Sequence, residues 1–146
     1  MGHRPVYRSW KERLTEPPLI SIVDDDDLFR RAVEHLVRSF GFATRTFASA
    51  ESFLQSSQVK QTRCLITDLQ MPNMSGLELR EQLARLGFDI PIIFITAYPN
   101  DSIKAQALNV GAVCYLHKPL DLLGRRLFDC LQEALGRGGM PPSSTE

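Results

Sequence analysis

The sequence predicts an α/β fold, a doubly wound sheet in which five parallel strands alternate with five helices, and three observations carry that expectation. Short, largely apolar runs recur five times, at Leu19 to Val23, Ala43 to Phe47, Cys64 to Thr67, Ile92 to Thr96 and Val113 to His117. Between them lie segments whose apolar residues repeat at helical spacing, three of them closing on glycine. Residues able to do chemistry stand at strand ends: Asp24 and Asp25, Asp68, Thr96 and Lys118. Parallel strands need helical crossovers and those crossovers are right-handed, so few other arrangements fit the alternation.

The first unit runs from the strand at Leu19 into four aspartates, Asp24 to Asp27, and then into a helix. Its apolar stripe is Leu28, Phe29, Ala32, Val33, Leu36, Val37 and Phe40, and Gly41 closes it. Asp26 and Asp27 fall where the free N–H groups of a helix start attract carboxylates. After the strand at Ala43, Ser49 to Ser56 makes a short helix carrying Phe53 and Leu54, and Gln55 to Thr62 is a polar connection. Cys64 to Thr67 has no polar face to alternate with, as a strand buried on both sides requires, and it delivers Asp68 at its end.

Pro72 cannot donate to a ladder, Gly76 tolerates a tight backbone and Ser75 can cap the next helix. Leu77, Leu79, Leu83 and Leu86 mark that helix from Gly76 to Leu86, ended by Gly87. Pro91 introduces Ile92 to Thr96, and a helix from Asp101 to Val110 closes at Gly111. The last strand delivers Lys118-Pro119, succeeded by a long amphipathic helix from Leu120 to Leu135.

Composition agrees with one globular domain over residues 19–135. Apolar residues make up 43% of the 146 and charged residues 23%, which excludes a disordered chain. Zero formal net charge offers no general field for nucleic acid or an anionic membrane. Residues 1–18 form an amino-terminal extension, either flexible or a short helix on Tyr7, Trp10 and Leu14, and Pro17-Pro18 would end such a helix. Residues 136–146, rich in glycine, proline and serine, read as a flexible tail or the stub of a linker. No run approaches the roughly 18 apolar residues of a membrane span, and the start lacks a signal-peptide core. Cys64, Cys114 and Cys130 are odd in number and lack metal-ligand spacing, so they are expected to be reduced packing residues of a cytoplasmic protein.

In open α/β sheets ligands bind in the crevice at the carboxyl edge, where these strand-end residues would converge. A lone aspartate there is usually a turn residue and a lone Lys-Pro usually a turn; their joint occurrence is the signal. Clustered carboxylates stay ionised together only around a cation, and oxygen-only ligands point to Mg²⁺. Asp68 could then act as a nucleophile toward phosphorus, with Lys118 offsetting phosphoryl charge and Thr96 donating a hydroxyl hydrogen bond.

Val23-Asp24-Asp25, Thr67-Asp68-Leu69-Gln70-Met71-Pro72 with Ser75-Gly76, Ile95-Thr96-Ala97, and Gly111-Ala112 leading to Tyr115 and Lys118-Pro119 occur in that order. Together they resemble the response-regulator receiver domain of two-component signalling, and Ser49 to Leu54 is most similar to its FixJ-like subgroup. The resemblance implies a flavodoxin-like (βα)5 sheet of order 2-1-3-4-5. It implies Asp68 as phosphoacceptor, with Mg²⁺ held by Asp24, Asp25, Asp68 and the backbone carbonyl of Gln70. Thr96 and Tyr115 become the switch, altering the face made by helix four, strand five and helix five. The Lys118-Pro119 bond is then expected to be cis. Gln70 and Tyr98 stand where family side chains affect phosphoryl lifetime, and the Tyr98 ring is expected to shield the acyl phosphate. His117 should point away from Lys118 by strand alternation.

The partner so implied is a sensor histidine kinase or a phosphotransfer protein, docking near Asp27 and Leu120. Homodimerisation through the switch face is also implied. The chain would be either a truncated receiver or a stand-alone one, and without a basic recognition helix it is not expected to contact nucleic acid itself. It is expected to be no enzyme beyond accepting the phosphoryl group and losing it again. Two other readings stay open. Asp24-x-Asp26-x-Leu28 fits a haloacid-dehalogenase-like phosphatase with Asp24 as nucleophile and Asp26 as acid. The other is a pseudo-receiver, an interaction module that is never phosphorylated.

Overall fold

A computed structural model of the chain describes residues 16–118 and 124–139. The extension helix expected around Tyr7, Trp10 and Leu14, the Lys118-Pro119 peptide and the docking position at Leu120 lie outside the described residues. The element order is β1 Leu19–Val23, α1 Asp27–Ser39, β2 Ala43–Phe47, α2 Ala50–Leu54, β3 Cys64–Asp68, α3 Gly76–Arg85, β4 Ile92–Thr96, α4 Asp101–Asn109, β5 Cys114–His117 and α5 Gly124–Gly139. A single 3₁₀ turn, Val59–Gln61, interrupts the polar connection before β3.

All four strand pairings are parallel and the order is β2-β1-β3-β4-β5, the flavodoxin-like arrangement expected. Strand alternation divides the interior into two layers. Ile20, Ile22, Cys64, Ile66, Ile93 and Ile95 face Val33 and Val37 of α1 and Leu127 and Leu131 of α5. Val23, Leu65, Ile92 and Phe94 face the opposite way, onto Phe53, Leu79, Leu83 and Ala107 of α2, α3 and α4. Every residue of β3 and β4 is buried, which is why these strands read as continuous apolar runs. β2 is an edge strand and differs: Arg45 at its centre is exposed and its other residues are half-buried. The buried hydroxyls of Ser21 in β1 and Thr62 just after the 3₁₀ turn hydrogen-bond at 2.6 Å, and no buried side-chain nitrogen or oxygen among the described residues lacks a partner.

Helix ends obey their local chemistry. Asp26, Ser49, Ser75 and Asn100 each cap a helix by accepting a backbone N–H, and Ser75 with Glu78 completes a capping box. Gly41, Gly87 and Gly111 take φ of 99°, 88° and 89° just beyond three helices, the left-handed stop their positions imply. α5 runs past the expected end at Leu135 to Gly139, and its expected start at Leu120 lies outside the described residues. Glycine lowers helix propensity by about 1 kcal/mol but keeps its N–H, so unlike proline it does not break the ladder.

The cysteines require a correction. Cys114 and Cys130 form a disulfide with Cα atoms 6.1 Å apart, and only Cys64 is free, buried in the sheet. Sixteen residues separate the pair. Cys114 opens β5 and Cys130 lies on the buried face of α5, so crossing from strand to helix joins them where no linear spacing rule would.

Candidate functional site

β3 ends on Asp68, paired across the ladder with Ile95, and the loop after it is tightly folded. Pro72 O accepts from Met74 N–H at 2.8 Å, Asn73 takes φ of 72°, and Gly76 N–H donates to Leu69 O at 3.0 Å. Gly76 presses against this loop. A Cβ there would meet the carbonyl oxygen of Asp68 and sit 3.1 Å from the Leu69 Cα. Asp68 Oδ1 accepts from the Gln70 backbone N–H at 3.1 Å, which fixes the carboxylate at the sheet edge.

Facing it is the acidic turn after β1. Asp24 N–H donates to Phe47 O at 3.1 Å, continuing the ladder, and Asp24 Oδ1 accepts from Asp26 N–H at 2.9 Å. Oxygens of Asp24, Asp25 and Asp68 lie within 4.8 Å of one another; Asp24 and Asp68 are buried and Asp25 is exposed. Asp26 takes no part in the cluster. It is the cap of α1, accepting from Phe29 N–H at 3.2 Å. The dehalogenase reading therefore fails on its acid, since Asp26 is turned to helix capping while Asp68 joins Asp24.

Lys118 closes the constellation. Its Nζ lies 3.1 Å from Asp68 Oδ2 and 3.2 Å from Asp24 Oδ2, and its backbone N–H donates to Thr96 O at 2.9 Å. The ammonium also stands 4.3 Å from the centre of the Phe29 ring, a cation–π contact. Burial pushes the Asp24 carboxyl up from 3.8 to about 6; the Asp68 charge adds to this, while the Asp26 N–H and Lys118 oppose it. Burial alone would lower the Lys118 ammonium, but the two carboxylates outweigh it and raise it above its ordinary 10.5.

Thr96 is buried at the end of β4, and its Oγ1 accepts from the Tyr98 backbone N–H at 3.2 Å. The Tyr98 ring is 71% exposed, so its backbone and not its ring meets this corner of the pocket. Tyr115 is buried against α4, and its hydroxyl accepts from Asn100 N–H at 3.1 Å. His117 is exposed and packs edge-on against Tyr115, on the same strand face and away from Lys118 as alternation requires. Asp24, Asp25, Asp68 and Lys118 are thus brought together, with Thr96 beside them; the described contacts of Gln70 at the site run through its N–H.

Two residues of this site lie on α1 and were not singled out by the sequence. Phe29 reads in sequence as a core position, yet its ring supports Lys118. Arg30 is 15% exposed at its side chain, donates from Nη1 to Asp24 O at 2.7 Å, and pairs with Asp27. The signal available was a basic residue one helical turn past an acidic run. Arg30→Met is expected to destabilise the domain by about 1–3 kcal/mol, because the Asp24 carbonyl loses a charged donor. Urea denaturation of the two proteins measures this.

Comparison with known proteins agrees with the geometry. The family described as the response regulator receiver domain matches residues 20–127. The response regulator protein TmoT of Ectopseudomonas mendocina is 42% identical over 109 residues, covering 73% of this chain and 50% of that protein. The transcriptional regulatory protein FixJ of Rhizobium meliloti is 36% identical over 102 residues, covering 70% of this chain and 50% of FixJ. The crystal structure of FixJ-N superposes with a TM-score of 0.72 at 32% identity, covering 83% of this chain and 95% of that one. The chain spans about half the length of the curated relatives it matches. Sheet order, the acidic turn, Asp68 and its lysine, and these similarities lead to one assignment: the chain belongs to the response-regulator receiver domain family.

Proposed function

We propose that Asp68 accepts a phosphoryl group from the phosphohistidine of a sensor histidine kinase or a phosphotransfer protein, and that the resulting acyl phosphate switches the α4-β5-α5 face. The observation that carries this is Lys118 held between Asp68 and Asp24 in a cluster of three carboxylates at the sheet edge. Receiver domains of this family are signalling modules and not turnover enzymes. A single acceptor that must be reloaded after each event fits that role.

In the loading step one Asp68 oxygen bonds to phosphorus while the phosphorus–nitrogen bond to the donor imidazole breaks. The imidazole nitrogen keeps the electron pair and takes a proton. Hydrolysis reverses the gain: water attacks phosphorus, the acyl phosphate bond breaks, and the Asp68 carboxylate and inorganic phosphate result. Lys118 is charged throughout and can move from the carboxylates to the phosphoryl oxygens. Thr96 donates a hydroxyl hydrogen bond to a phosphoryl oxygen. Its present partner, Tyr98 N–H, uses only the lone pairs, so the proton is available.

The donor set suits a hard divalent cation, because three carboxylates converge and burial already disfavours the charge on Asp24. Asp24, Asp25, Asp68 and the Gln70 carbonyl would hold Mg²⁺, which supplies neutralisation of the phosphoryl oxygens. Thr96 drawn toward the phosphoryl group frees space behind it, and Tyr115, hydrogen-bonded to the Asn100 N–H that starts α4, reports the change to the face.

Kinase docking involves α1 near Asp27 and the segment around Leu120, and α4-β5-α5 serves self-association. The chain itself makes no nucleic-acid contact. The matched stretch covers only about half of its relatives named as transcriptional regulators, so a DNA-binding output would reside in a further domain. Cytoplasmic action accords with such a kinase. No helix among the described residues is long and apolar enough to cross a membrane.

Incubation with acetyl phosphate and Mg²⁺, with intact mass measured afterwards, tests the proposal. Wild type is expected to gain one phosphoryl group and Asp68→Asn none. An undiminished adduct on Asp68→Asn would overturn it, and no adduct on wild type with acetyl phosphate or a phosphohistidine donor would favour the pseudo-receiver reading.

A further inference from the structure

The Cys114–Cys130 disulfide sits at the other end of β5 from the phosphoryl pocket. Lys118 lies four positions after Cys114, just past a strand rising about 3.3 Å per residue, so the two are about 13 Å apart. β5 is an edge strand whose one ladder runs to β4, while α5 packs over β3 and β4. The disulfide is therefore a covalent tie between an edge strand and a helix that rests mainly on its neighbours. Tyr115 is the residue next to Cys114, so the tie reaches the strand carrying the switch ring.

Exposure differs between the two sulfurs' residues. Cys114 is half-buried, and Cys130 is 7% exposed within the α1/α5 layer. Cys64 is fully buried, and burial pushes its thiol far above the ordinary range, which removes it from exchange chemistry. One accessible cysteine backed by one shielded cysteine is the arrangement thiol–disulfide exchange uses.

We propose that Cys114 and Cys130 form a reversible exchange site, addressed by low-molecular-weight thiols and disulfides of the glutathione class, that ties β5 to α5 when oxidised and frees the edge strand when reduced. In oxidation the Cys114 thiolate attacks one sulfur of the small disulfide, whose S–S bond breaks and releases one thiol. The Cys130 thiolate then attacks the Cys114 sulfur and releases the second. Two protein thiols and one small disulfide give one protein disulfide and two small thiols. Both electrons pass to the reagent, and both protons go to the departing thiolates. Reduction is the reverse. This goes beyond the phosphoryl reading and does not depend on it.

The full chain, equilibrated with oxidised or with reduced glutathione, is acid-quenched, unfolded and alkylated, and its intact mass is measured. All three cysteines should alkylate after reduction, and only Cys64 after oxidation, with no glutathione retained. Hydrogen exchange in β5 and the facing turns of α5 is expected to be on the order of tenfold slower in the oxidised protein. Cys114→Ser/Cys130→Ala should exchange like reduced protein in both buffers. Three alkyl groups in both buffers, a persistent glutathione adduct, an oxidised form that glutathione cannot reduce, or equal hydrogen exchange would each overturn the proposal. Loading of Asp68 by acetyl phosphate is expected to be equal in both redox forms, and a difference would refute the separation of the two sites. If neither form loads, that failure belongs to the phosphoryl reading, and the alkylation count still decides this one.

Discussion

Gly76→Ala unfolds the receiver more readily by about 3 kcal/mol and lowers phosphoryl loading of the molecules that remain folded. The added methyl would run into the carbonyl oxygen of Asp68 and the Cα of Leu69. Both are backbone atoms, so no side chain can rotate aside, and overpacking a fixed site costs about 1–3 kcal/mol or more. Relief must come from displacing the Asp68–Leu69 backbone or the start of α3. Gly76 N–H is bonded to Leu69 O, and the adjacent Ser75–Glu78 capping box holds the helix start, so either movement strains a second contact. Asp68 is therefore shifted relative to Lys118. Urea denaturation gives the stability loss, and intact mass after acetyl phosphate treatment gives the loading. Gly136→Ala, where a Cβ meets nothing within 4 Å, should leave loading unchanged.

Metal-free protein is expected to lose stability at Asp24 as the pH rises through about 6. The folded chain holds the Asp24 proton up to about pH 6, whereas its ordinary value is 3.8. Between those values the native state binds a proton that the unfolded state has released, so acidification favours folding through this group. Above about 6 the buried charge is a cost of about 3 kcal/mol, the energy equivalent of that displacement. The difference in stability between wild type and Asp24→Asn should therefore change by about this amount between pH 4 and pH 8, with wild type losing on the alkaline side. A flat difference would mean that Lys118 compensates the charge fully. Because a divalent cation competes with that proton, Mg²⁺ affinity is expected to fall about tenfold per pH unit below 6, measurable by titration calorimetry.

Much of the architecture could be read from periodicity because burial here is symmetric. β3 and β4 are covered on both faces, so Cys64 to Asp68 and Ile92 to Thr96 had to be nearly uninterrupted apolar runs. The glycines after α1, α3 and α4 stand where the chain turns left-handed, and they marked three boundaries. The cluster at the sheet edge was legible for a different reason: Asp24, Asp25, Asp68, Thr96 and Lys118 are each at or next to a strand end, and a parallel sheet brings such ends to one edge. Contacts between elements were not legible. Arg30 reaches back to a backbone carbonyl, and Phe29 supports an ammonium 89 positions further on, neither of which periodicity encodes. Asp26, legible with Asp27 as a helix-start carboxylate, does cap α1. The cysteine pair joins a strand to a helix, and odd parity suggested three independent thiols.

β2 carries a consequence for how copies of this protein meet. A parallel sheet ends in strands with one unused row of N–H and C=O groups, and a flat apolar edge of that kind recruits a strand from another molecule. Arg45 occupies the middle of that edge, exposed between two threonines. Another chain aligning there would have to desolvate a guanidinium or bring two of them side by side. Aggregation by sheet extension is thereby discouraged at one margin of the sheet.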